Sequence, residues 1–477
     1  MNMTSITAAE LPSIIQGGMG VGVSGWRLAR AVSQAGQLGV VSGTMLDVVI
    51  ARTLQLGDEG GHIRRALETF PYQSMVDRLL KRYFIEGGKA PDAPFKSTPM
   101  MAFPPSTPSL ELSVLASYAS IWLAKEGHQG KAGINLLEKS QLPTMGALYG
   151  AMLAGVDVVL MGAGIPRQIP GILDHLAQGL TAELRLDVTG ADKTFVLHFG
   201  PDEFCHTPPK QLKRPLFLAI VSSSVLAENL RRKASGKVDG FVVEASTAGG
   251  HNAPPRGAMQ LSEKGEPIYG PRDAVDVSKF REIGLPFWLA GGYGGKGKLR
   301  EAQAEGAMGI QVGTVFALSE ESGFDPALKF QLVDAIRRDD LEIFTDATAS
   351  PTGFPFKIAQ LPETLSDPKV YEHRERVCDL GVLRETYMKE DGSVGFRCSA
   401  EPIDIYISKG GDPVKTHGTA CLCNSLGASI GLAQRRPDGS VEAPLITLGD
   451  DIESIRALLP ADGGFYPASR VIQELLL

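Results

Sequence analysis

The residue best suited to proton chemistry is His251, at the end of the run Val243-Glu244-Ala245-Ser246-Thr247-Ala248-Gly249-Gly250-His251. Histidine takes or gives a proton near neutral pH more readily than other side chains. The run begins at the end of a short apolar segment, and its two glycines would let the loop lie over a flat ligand. This pattern predicts a catalytic histidine. The alternative is a solvated loop histidine, because the chain contains eight histidines.

Two glycine-containing turns predict a phosphate site. They are Leu289-Ala290-Gly291-Gly292-Tyr293-Gly294 and Gly309-Ile310-Gln311-Val312-Gly313-Thr314. In (β/α)8 barrels a phosphate often lies between the loops after strands seven and eight, held by backbone N–H groups and a short helix N-terminus. Glycines allow close approach of the phosphate, and the Thr314 hydroxyl can donate a hydrogen bond to it. The alternative is a pair of helix-start turns that bind nothing.

A third glycine turn, Ile14-Ile15-Gln16-Gly17-Gly18-Met19-Gly20, follows the first apolar run. Glycines at the carboxyl end of a strand allow the main chain to approach a ligand without Cβ clashes. The turn lacks the GxGxxG spacing of a dinucleotide fingerprint. A P-loop, an HExxH pair and a GxSxG elbow are also missing. By itself this motif is weak and is equally compatible with a tight βα turn.

Four cysteines, Cys378, Cys398, Cys421 and Cys423, fall close together near the C-terminus, while Cys205 stands apart. Four thiolates could hold a zinc ion or an iron–sulfur cluster. Cys421 and Cys423 have one residue between them rather than the two of the usual metal-binding pair. We therefore keep both possibilities, a metal site and four reduced, partly buried thiols, with somewhat more weight on the thiols.

The elements that must position these residues are short apolar runs separated by helical stretches. Continuous aliphatic runs are typical of parallel strands covered by helices. Eight such strands predict an α/β fold, a closed (β/α)8 TIM barrel, with an open doubly wound sheet as the alternative. The runs are Ser13–Gln16, Leu38–Ser42, Ala132–Leu136, Val156–Met161, Leu216–Ser222, Gly240–Glu244, Pro286–Ala290 and Met308–Val312.

Two long gaps interrupt the barrel repeat, and a tail follows it. Residues 44–130 after the second strand predict a mostly helical insertion. After the fourth strand, Ala182–Val188 and Thr194–Phe199 alternate in polarity and predict a hairpin insertion. We assign residues 1–325 to the barrel and 326–477 to a C-terminal extension or lobe. Within the extension, Ser350–Lys357 is an aromatic loop predicted either to cap the pocket or to pack on the barrel's side.

The composition of the chain excludes several classes of protein. The chain has 477 residues and a net charge of -7, and it lacks the basic stripe of a nucleic-acid-binding protein. Its apolar stretches are too short to span a membrane, and the N-terminus lacks a signal peptide's pattern. Five sparse cysteines argue against a secreted disulfide scaffold. We expect a cytoplasmic protein with no nucleic-acid or membrane partner; a homo-oligomer stays open.

With these motifs in order, the chain resembles the nitronate monooxygenases, formerly called 2-nitropropane dioxygenases. The resemblance covers residues 12 to 330 outside the insertions and includes Ala132-Gly133-Ile134-Asn135-Leu136 at the third strand. It implies an FMN-binding barrel in which His251 acts on a nitroalkane's α-proton or contacts the nitronate. The segment after His251 and the long tail depart from the family pattern. Together with the glycine turns, the resemblance predicts these FMN contacts: Gln16, Gly18, Met19, Gly20, Asn135, Gly249, Gly250, Gly291, Gly292, Gln311, Gly313 and Thr314.

Three functions remain open. The first is an FMN-dependent nitronate monooxygenase that oxidises a small-molecule nitronate or similar carbanion with dioxygen. The second is an NAD(P)H-dependent flavin reductase of an enone, such as an enoyl thioester or a quinone. The third is a non-enzymatic flavin-binding protein whose tail mediates assembly. Fold and cofactor cannot choose among them, because one barrel serves many chemistries.

Overall fold

The structure is a computed structural model that describes residues 7–205, 207–461 and 463–477. Residues 1–6, part of the N-terminal segment in which we predict no signal peptide, lie outside the described residues. Fourteen strands are found in the described ranges: β1 (Ile14–Gln16), β2 (Gly39–Ser42), β3 (Ala132–Leu137), β4 (Val158–Gly162), β5 (Ala182–Leu186), β6 (Phe195–Phe199), β7 (Leu216–Val221), β8 (Gly240–Glu244), β9 (Phe287–Ala290), β10 (Gly309–Val312), β11 (Ile343–Asp346), β12 (Phe356–Ala359), β13 (Glu385–Met388) and β14 (Val394–Arg397).

Eight parallel strands form the central sheet in the order β1-β10-β9-β8-β7-β4-β3-β2. The two ends of this order meet, because Ile15 and Leu38 form a parallel bridge that joins β1 to the residue before β2. The sheet therefore closes into a barrel, and the predicted TIM barrel is confirmed over the open doubly wound alternative. Each of the eight predicted apolar runs overlaps one barrel strand, and β3 and β4 each extend one residue beyond the predicted end. The residues of these strands are almost all buried, which explains why the runs are continuous rather than alternating.

Helices surround the barrel. The described residues contain α1 (Trp26–Gln34), α2 (Leu46–Gln55), α3 (His62–Glu68), α4 (Gln73–Tyr83), α5 (Thr107–Lys125), α6 (Thr144–Leu153), α7 (Ile169–Ala177), α8 (Pro201–Phe204), α9 (Ser224–Lys233), α10 (Val277–Ile283), α11 (Lys298–Ala304), α12 (Thr314–Ala317), α13 (Pro326–Arg337), α14 (Pro368–His373), α15 (Ile403–Ser408), α16 (Leu422–Ala428), α17 (Ile452–Leu458) and α18 (Ala468–Leu476). None of these helices is both long and apolar enough to cross a bilayer.

The long segment between β2 and β3 contains helices α2 to α5. The last of these, α5, packs against α1 and α6 and so occupies the place of the barrel's own second helix. The insertion into a simple βα unit therefore consists of helices α2, α3 and α4 and their loops. Between β4 and β7, strands β5 and β6 pair as an antiparallel hairpin with Leu186 opposite Phe195.

The C-terminal segment returns to the barrel. Its last helix, α18, packs against α1 and α11 and completes the ring of helices. Val471, Ile472 and Leu475 lie on one face of α18 and are buried in the main core. Residues between α13 and α17 are thus inserted between the eighth barrel strand and the helix that covers it. The domain boundary at residue 325 stays a prediction, since part of the segment beyond it shares the barrel core.

The middle of the tail covers the mouth of the barrel. It contributes most of a second buried cluster, which includes Phe356, Leu380 and Leu422. The barrel side of this cluster is formed by Val21, after β1, and by Met45, after β2. Both residues follow the carboxyl ends of strands, where the active sites of (β/α)8 enzymes are found. The tail therefore forms a roof over the functional end of the barrel.

Candidate active site

A large cavity lies between the carboxyl ends of the barrel strands and the tail. Four predicted segments and Asn135 of β3 meet on its wall. The segments are the first glycine turn (Ile14–Gly20), the histidine loop (Val243–Asn252) and the two phosphate turns (Leu289–Gly294 and Gly309–Thr314). The predicted residues that line it are Gly18, Met19, Gly20, Asn135, Gly249, Gly250, His251, Gly291, Gly292, Gln311, Gly313 and Thr314.

Gln16 is the one predicted contact that does not line the cavity. Its side chain is fully buried, its Oε1 accepts a hydrogen bond of 3.0 Å from the Val40 N–H, and its Nε2 lies 2.8 Å from Ser24 Oγ. These bonds use the amide inside the barrel, where it ties the first turn to β2. The prediction of a cofactor contact for Gln16 therefore finds no support in its position.

The turn after β1 lies against β3. A Cβ added to Gly18 would be 2.5 Å from the Cβ of Asn135, closer than real Cβ atoms approach other atoms. The Asn135 Nδ2 donates a hydrogen bond of 3.2 Å to the Gly18 carbonyl. Glycine is therefore required at position 18 for packing, and Asn135 fixes the turn at the cavity's edge.

The two phosphate turns provide backbone donors without side-chain cations. Gly291 and Gly292 have φ angles of +88° and +79°, which favour glycine. Within the described part of the chain, the N–H groups of Gly292 and Gly313 donate no hydrogen bond to backbone or side chain. Thr314 begins α12 beside them. This donor set suits a phosphate, and the wall of the cavity includes no lysine or arginine.

The tail closes the phosphate turns from outside. Gly449 donates from its N–H to Thr314 Oγ1 at 3.0 Å, and Asp451 accepts from the Gly294 N–H at 3.0 Å. A Cβ on Gly449 would lie 2.8 Å from Thr314 Oγ1. These close approaches hold the turns in place. Gly449 and Asp451 were not identified from the sequence, because nothing local in the tail marks them as neighbours of Thr314.

Gln311 offers a further test of the fit to FMN. Its side chain is buried on the cavity wall, and its Oε1 has no hydrogen-bond partner in the described structure. A buried polar atom without a partner costs free energy of about 1–3 kcal/mol, and on a cavity wall a ligand can supply the missing partner. The side-chain amide of Gln311 suits a polar edge of the flavin ring. The free N–H groups of Gly292 and Gly313 and the Thr314 hydroxyl suit the phosphate of FMN. The residues present therefore fit FMN.

His251 is held by the tail. Its Nε2 lies 2.7 Å from Ser350 Oγ, and its ring meets the Phe356 ring edge-on at 4.8 Å between centroids. The backbone is tied as well, since His251 forms an antiparallel bridge with Phe356. Burial lowers the pKa of His251 to about 4, so the imidazole is neutral near pH 7. These contacts favour a position of the aromatic loop near the pocket, where Phe356 lines the cavity, and the cap stays a prediction.

Glu244, the last residue of β8, also lines the cavity. Burial raises the pKa of its carboxyl group to about 7. The sequence showed this glutamate inside the histidine motif but gave no sign that its carboxyl group faces the site. The two pKa shifts have one cause, since burial disfavours the charged form of both His251 and Glu244.

The four clustered cysteines lie around one small cavity next to Arg384. Within the described residues, no group of three or more histidine, cysteine or acidic side chains is arranged to hold a metal ion. Burial raises the pKa of Cys378 to about 11 and that of Cys398 to about 12, so both are neutral thiols near pH 7. The structure gives no support to the zinc or iron–sulfur hypothesis. Cys423 also reaches the wall of the active-site cavity.

A second, more polar chamber adjoins the active-site cavity. Leu383 lines both spaces, and Ser350, the partner of His251, lines the second. The chamber wall includes the basic side chains of Lys139, Arg384, Arg397 and Lys415 and the acidic side chains of Asp187 and Glu385.

Comparisons with known proteins agree with this geometry. A family model described as nitronate monooxygenase matches residues 173–351, a stretch that contains the histidine loop and both phosphate turns. A relative from Mycobacterium tuberculosis, (3aS,4S,5R,7aS)-5-hydroxy-7a-methyl-1-oxo-octahydro-1H-indene-4-carboxyl-CoA dehydrogenase, is 25% identical over 235 residues. That match covers 45% of this chain and 61% of the relative, so the chain spans less than two thirds of the relative's length.

Two solved structures are similar over most of their length. FabK from Thermotoga maritima has 17% identity and a TM-score of 0.48, with 98% of this chain and 91% of FabK covered. A nitroalkane oxidase from Streptomyces ansochromogenes has 17% identity and a TM-score of 0.42, with 98% and 94% covered. Scores this low carry no argument about function. The family match confirms the resemblance predicted from the motifs, to the nitronate monooxygenase family of FMN-dependent oxidoreductases.

Proposed function

We propose that the chain is an FMN-dependent oxidoreductase that oxidises a nitronate or a similar carbanion with dioxygen. One observation carries the proposal: the family match covers the histidine loop and both phosphate turns, and these three segments meet on one cavity. When bound, FMN supplies the electron-accepting chemistry, with dioxygen as the terminal oxidant. The work of the chain is to bind, orient and exclude water.

The binding roles follow from the donor groups. The N–H groups of Gly292 and Gly313 and the hydroxyl of Thr314 would hold the FMN phosphate, assisted by the start of α12. Gln311 would offer its buried side chain to a polar group of the cofactor. The roof formed by the tail limits access of water, which strengthens each of these polar interactions.

His251 would orient the substrate. A neutral imidazole has one nitrogen that carries a proton and one that accepts a hydrogen bond. Nε2 contacts Ser350, and Nδ1 has no partner in the described structure, so Nδ1 is available to the substrate. A donor directed at negative charge in a dry pocket typically contributes a few kcal/mol to transition-state stabilisation. Hydrogen bonding to the substrate's oxygens therefore suits His251 better than proton abstraction.

An NAD(P)H-dependent reductase of an enoyl thioester is the second candidate. The observation in its favour is the polar chamber next to Ser350, whose basic side chains suit the phosphate groups of a thioester carrier. The Mycobacterium tuberculosis relative is named as a carboxyl-CoA dehydrogenase, which also points to a thioester.

One experiment separates the two candidates. The purified protein, loaded with FMN, is mixed anaerobically with NADH, with NADPH or with a nitronate such as propyl-2-nitronate, and flavin absorbance is followed. Bleaching by the nitronate alone, followed by product formation and oxygen uptake after air is admitted, supports the first proposal. Rapid bleaching by a nicotinamide cofactor, with no response to nitronate, would overturn it in favour of the reductase.

A further inference from the structure

A side pocket adjoins the active-site cavity between the barrel mouth and the tail. Five residues line both spaces and form the boundary between them: Thr44, Met45, Leu136, Leu137 and Val382. The side pocket has a volume of about 70 Å³, several times the space that one water molecule needs. It therefore has room for part of a substrate whose reacting end lies in the active-site cavity.

Met45 stands at this boundary in an uncommon backbone conformation. Its φ angle is +59°, in the left-handed region that few residues other than glycine adopt, and it directly precedes α2. Strained residues of this kind persist where the surrounding structure fixes them, and they cluster at ligand sites. The unbranched thioether side chain of methionine adapts its shape readily. Met45 can therefore adjust to a ligand chain that extends from one space into the other.

The walls of the side pocket are mainly apolar and include all three additions to the barrel. Leu46 belongs to the helical insertion, Leu186 to the hairpin and Leu380 to the tail. Leu142 and Ala147, from the loop and helix after β3, complete the barrel side. Such walls favour a hydrocarbon group, because moving apolar surface out of water is favourable.

One polar atom on this wall lacks a partner. Ser117, on α5, is 1% exposed and lines the side pocket, and its Oγ has no hydrogen-bond partner in the described structure. A serine inside a helix can bond the carbonyl one turn earlier. Ser120 on the same helix does so, with its Oγ 2.8 Å from the Ala116 carbonyl. An unpaired buried hydroxyl is costly, and a hydroxyl or carbonyl group of a ligand can supply the missing partner.

The charged side chains on the wall of the side pocket are Asp47, Lys139 and Arg384. Both cations also line the polar chamber, and Arg384 already donates to the Met101 carbonyl at 2.6 Å. Asp47 accepts the Val48 N–H at 2.9 Å, and burial raises the pKa of its carboxyl group. Away from the chamber, the described wall therefore has no cation, and this part of the pocket favours a neutral group over an anionic one.

We propose that the side pocket binds the apolar arm of an elongated substrate, with Ser117 as the hydrogen-bond partner of a neutral hydroxyl or carbonyl group on that arm. The inference rests on the proposed function and names the class of substrate. The substrate is a nitronate or similar carbanion whose reacting carbon lies in the active-site cavity and whose carbon chain extends past Met45. Ser117 determines specificity and takes no part in the chemistry.

Chain length tests the pocket. FMN-loaded wild type is assayed with preformed propyl-1-nitronate, hexyl-1-nitronate and octyl-1-nitronate. We expect kcat/KM to rise by up to about fourfold for each methylene that enters the pocket. Leu142→Trp adds a ring on the pocket wall and should lower the octyl-to-propyl ratio of kcat/KM by about tenfold or more. Leu180→Trp, at a side chain that is 50% exposed, is the matched control and should keep the wild-type ratio.

The role of Ser117 is tested with hexyl and octyl nitronates that carry a terminal hydroxyl. Ser117→Ala should lower kcat/KM for the preferred hydroxylated chain about fivefold relative to the plain chain of the same length, the contribution of one neutral hydrogen bond. Ser120→Ala removes a buried hydroxyl that already has a partner on the same helix, and it should leave this ratio unchanged. Circular dichroism and flavin content check that the variants are folded.

The outcomes separate this inference from the proposed function. If wild type oxidises no nitronate, the proposed function fails, and calorimetry with 1-octanol then tests the pocket by binding alone. Binding to wild type and its loss in Leu142→Trp would support the pocket, whereas no binding to wild type would overturn it. If nitronates are oxidised, the absence of any dependence on chain length, or equal ratios in Leu142→Trp and Leu180→Trp, would overturn the pocket. Equal ratios in Ser117→Ala and Ser120→Ala would overturn the role of Ser117.

Discussion

Ser350 Oγ lies 2.7 Å from the Nε2 of His251, although 99 residues separate the two in the chain. His251 belongs to the loop after β8, whereas Ser350 lies in the tail that covers the barrel mouth. The Ser350 hydroxyl is itself 2.8 Å from the hydroxyl of Thr352. The tail therefore fixes the orientation of the histidine ring. The same contact places this part of the tail directly beside the candidate site.

Replacement of Ser350 tests this orientation. Ser350→Ala removes the hydrogen bond to His251 and leaves the ring free to turn. We expect kcat/KM for a nitronate to fall about five- to tenfold, since one hydrogen bond of this kind contributes about 1 kcal/mol. Steady-state kinetics measures the effect. Ser408→Ala, at an exposed hydroxyl on α15, should leave the rate unchanged; an equal loss in both variants would contradict the prediction.

Gly291→Val should abolish flavin retention with little change in strand content. The residue has a φ of +88°, and its Cβ would lie 2.8 Å from Thr247 Oγ1 and 3.1 Å from the Ala245 carbonyl. The turn that provides the phosphate donors would have to move. Absorbance of the purified protein gives the flavin content, and circular dichroism gives the fold.

The control for Gly291 separates backbone strain from the loss of the site. Gly284→Val also has a positive φ, of +75°, but its Cβ would meet nothing within 4 Å at the end of α10. It should cost stability and keep the flavin. A Gly291→Val protein that purifies fully yellow would place the phosphate elsewhere.

The buried His251 predicts a dependence of stability on pH. Its folded pKa is about 4, against about 6.5 for histidine in an unfolded chain. The unfolded state therefore binds more protons between these values, so the free energy of unfolding rises with pH in this window. The stability contributed by neutral His251 is present above about pH 6.5 and is lost as pH falls toward 4. Urea titrations at pH 5 and 7 should show a smaller difference for His251→Gln than for wild type.

The spacing of nearby residues was enough to predict the barrel and several of the residues that line the cavity. The eight apolar runs predicted the barrel because each strand is buried on both faces. Gly291, Gly292 and Thr314 could be predicted to lie near one another because each belongs to a short contiguous turn, and all three line the cavity. Ser350 and Gly449 could not be placed beside His251 and Thr314, because these contacts form only when the tail folds over the barrel mouth. Nothing in the spacing of nearby residues encodes such long-range closure.

Gln16 and Glu244 show what the sequence could not predict about individual side chains. Gln16 was predicted to contact the cofactor because it belongs to the glycine turn after the first strand. Its actual partner, the Val40 N–H, lies 24 residues away across the barrel. Glu244 was part of the histidine motif, but the structure adds that its carboxyl group lies on the cavity wall with no counter-ion among the described residues. That property depends on which side chains surround it and cannot be read from the sequence.

The clustered cysteines should behave as inert thiols. Burial raises the pKa values of Cys378 and Cys398 to about 11 and 12, and the reactive form is the thiolate. Native protein at pH 7.5 should therefore react with a thiol reagent far more slowly than protein unfolded in guanidinium, which should release all five cysteines. Elemental analysis should find no stoichiometric zinc or iron. About one zinc or several irons per chain would restore the metal hypothesis.

The last helix should be part of the folding unit of the barrel. Leu475 is 1% exposed on the face of α18 that packs into the main core, whereas the adjacent Leu476 is 49% exposed. Leu475→Ala leaves a cavity where α18 meets α1 and α11, and such truncations cost about 2–5 kcal/mol. Leu476→Ala makes the same chemical change on the solvent side and should cost less than about 0.5 kcal/mol. Denaturant unfolding, followed by both far-UV circular dichroism and flavin fluorescence, measures the two variants. If α18 completes the ring, both probes should shift together in Leu475→Ala. Equal stability of the two variants would mean that the tail is an independent lobe, as the division at residue 325 predicts.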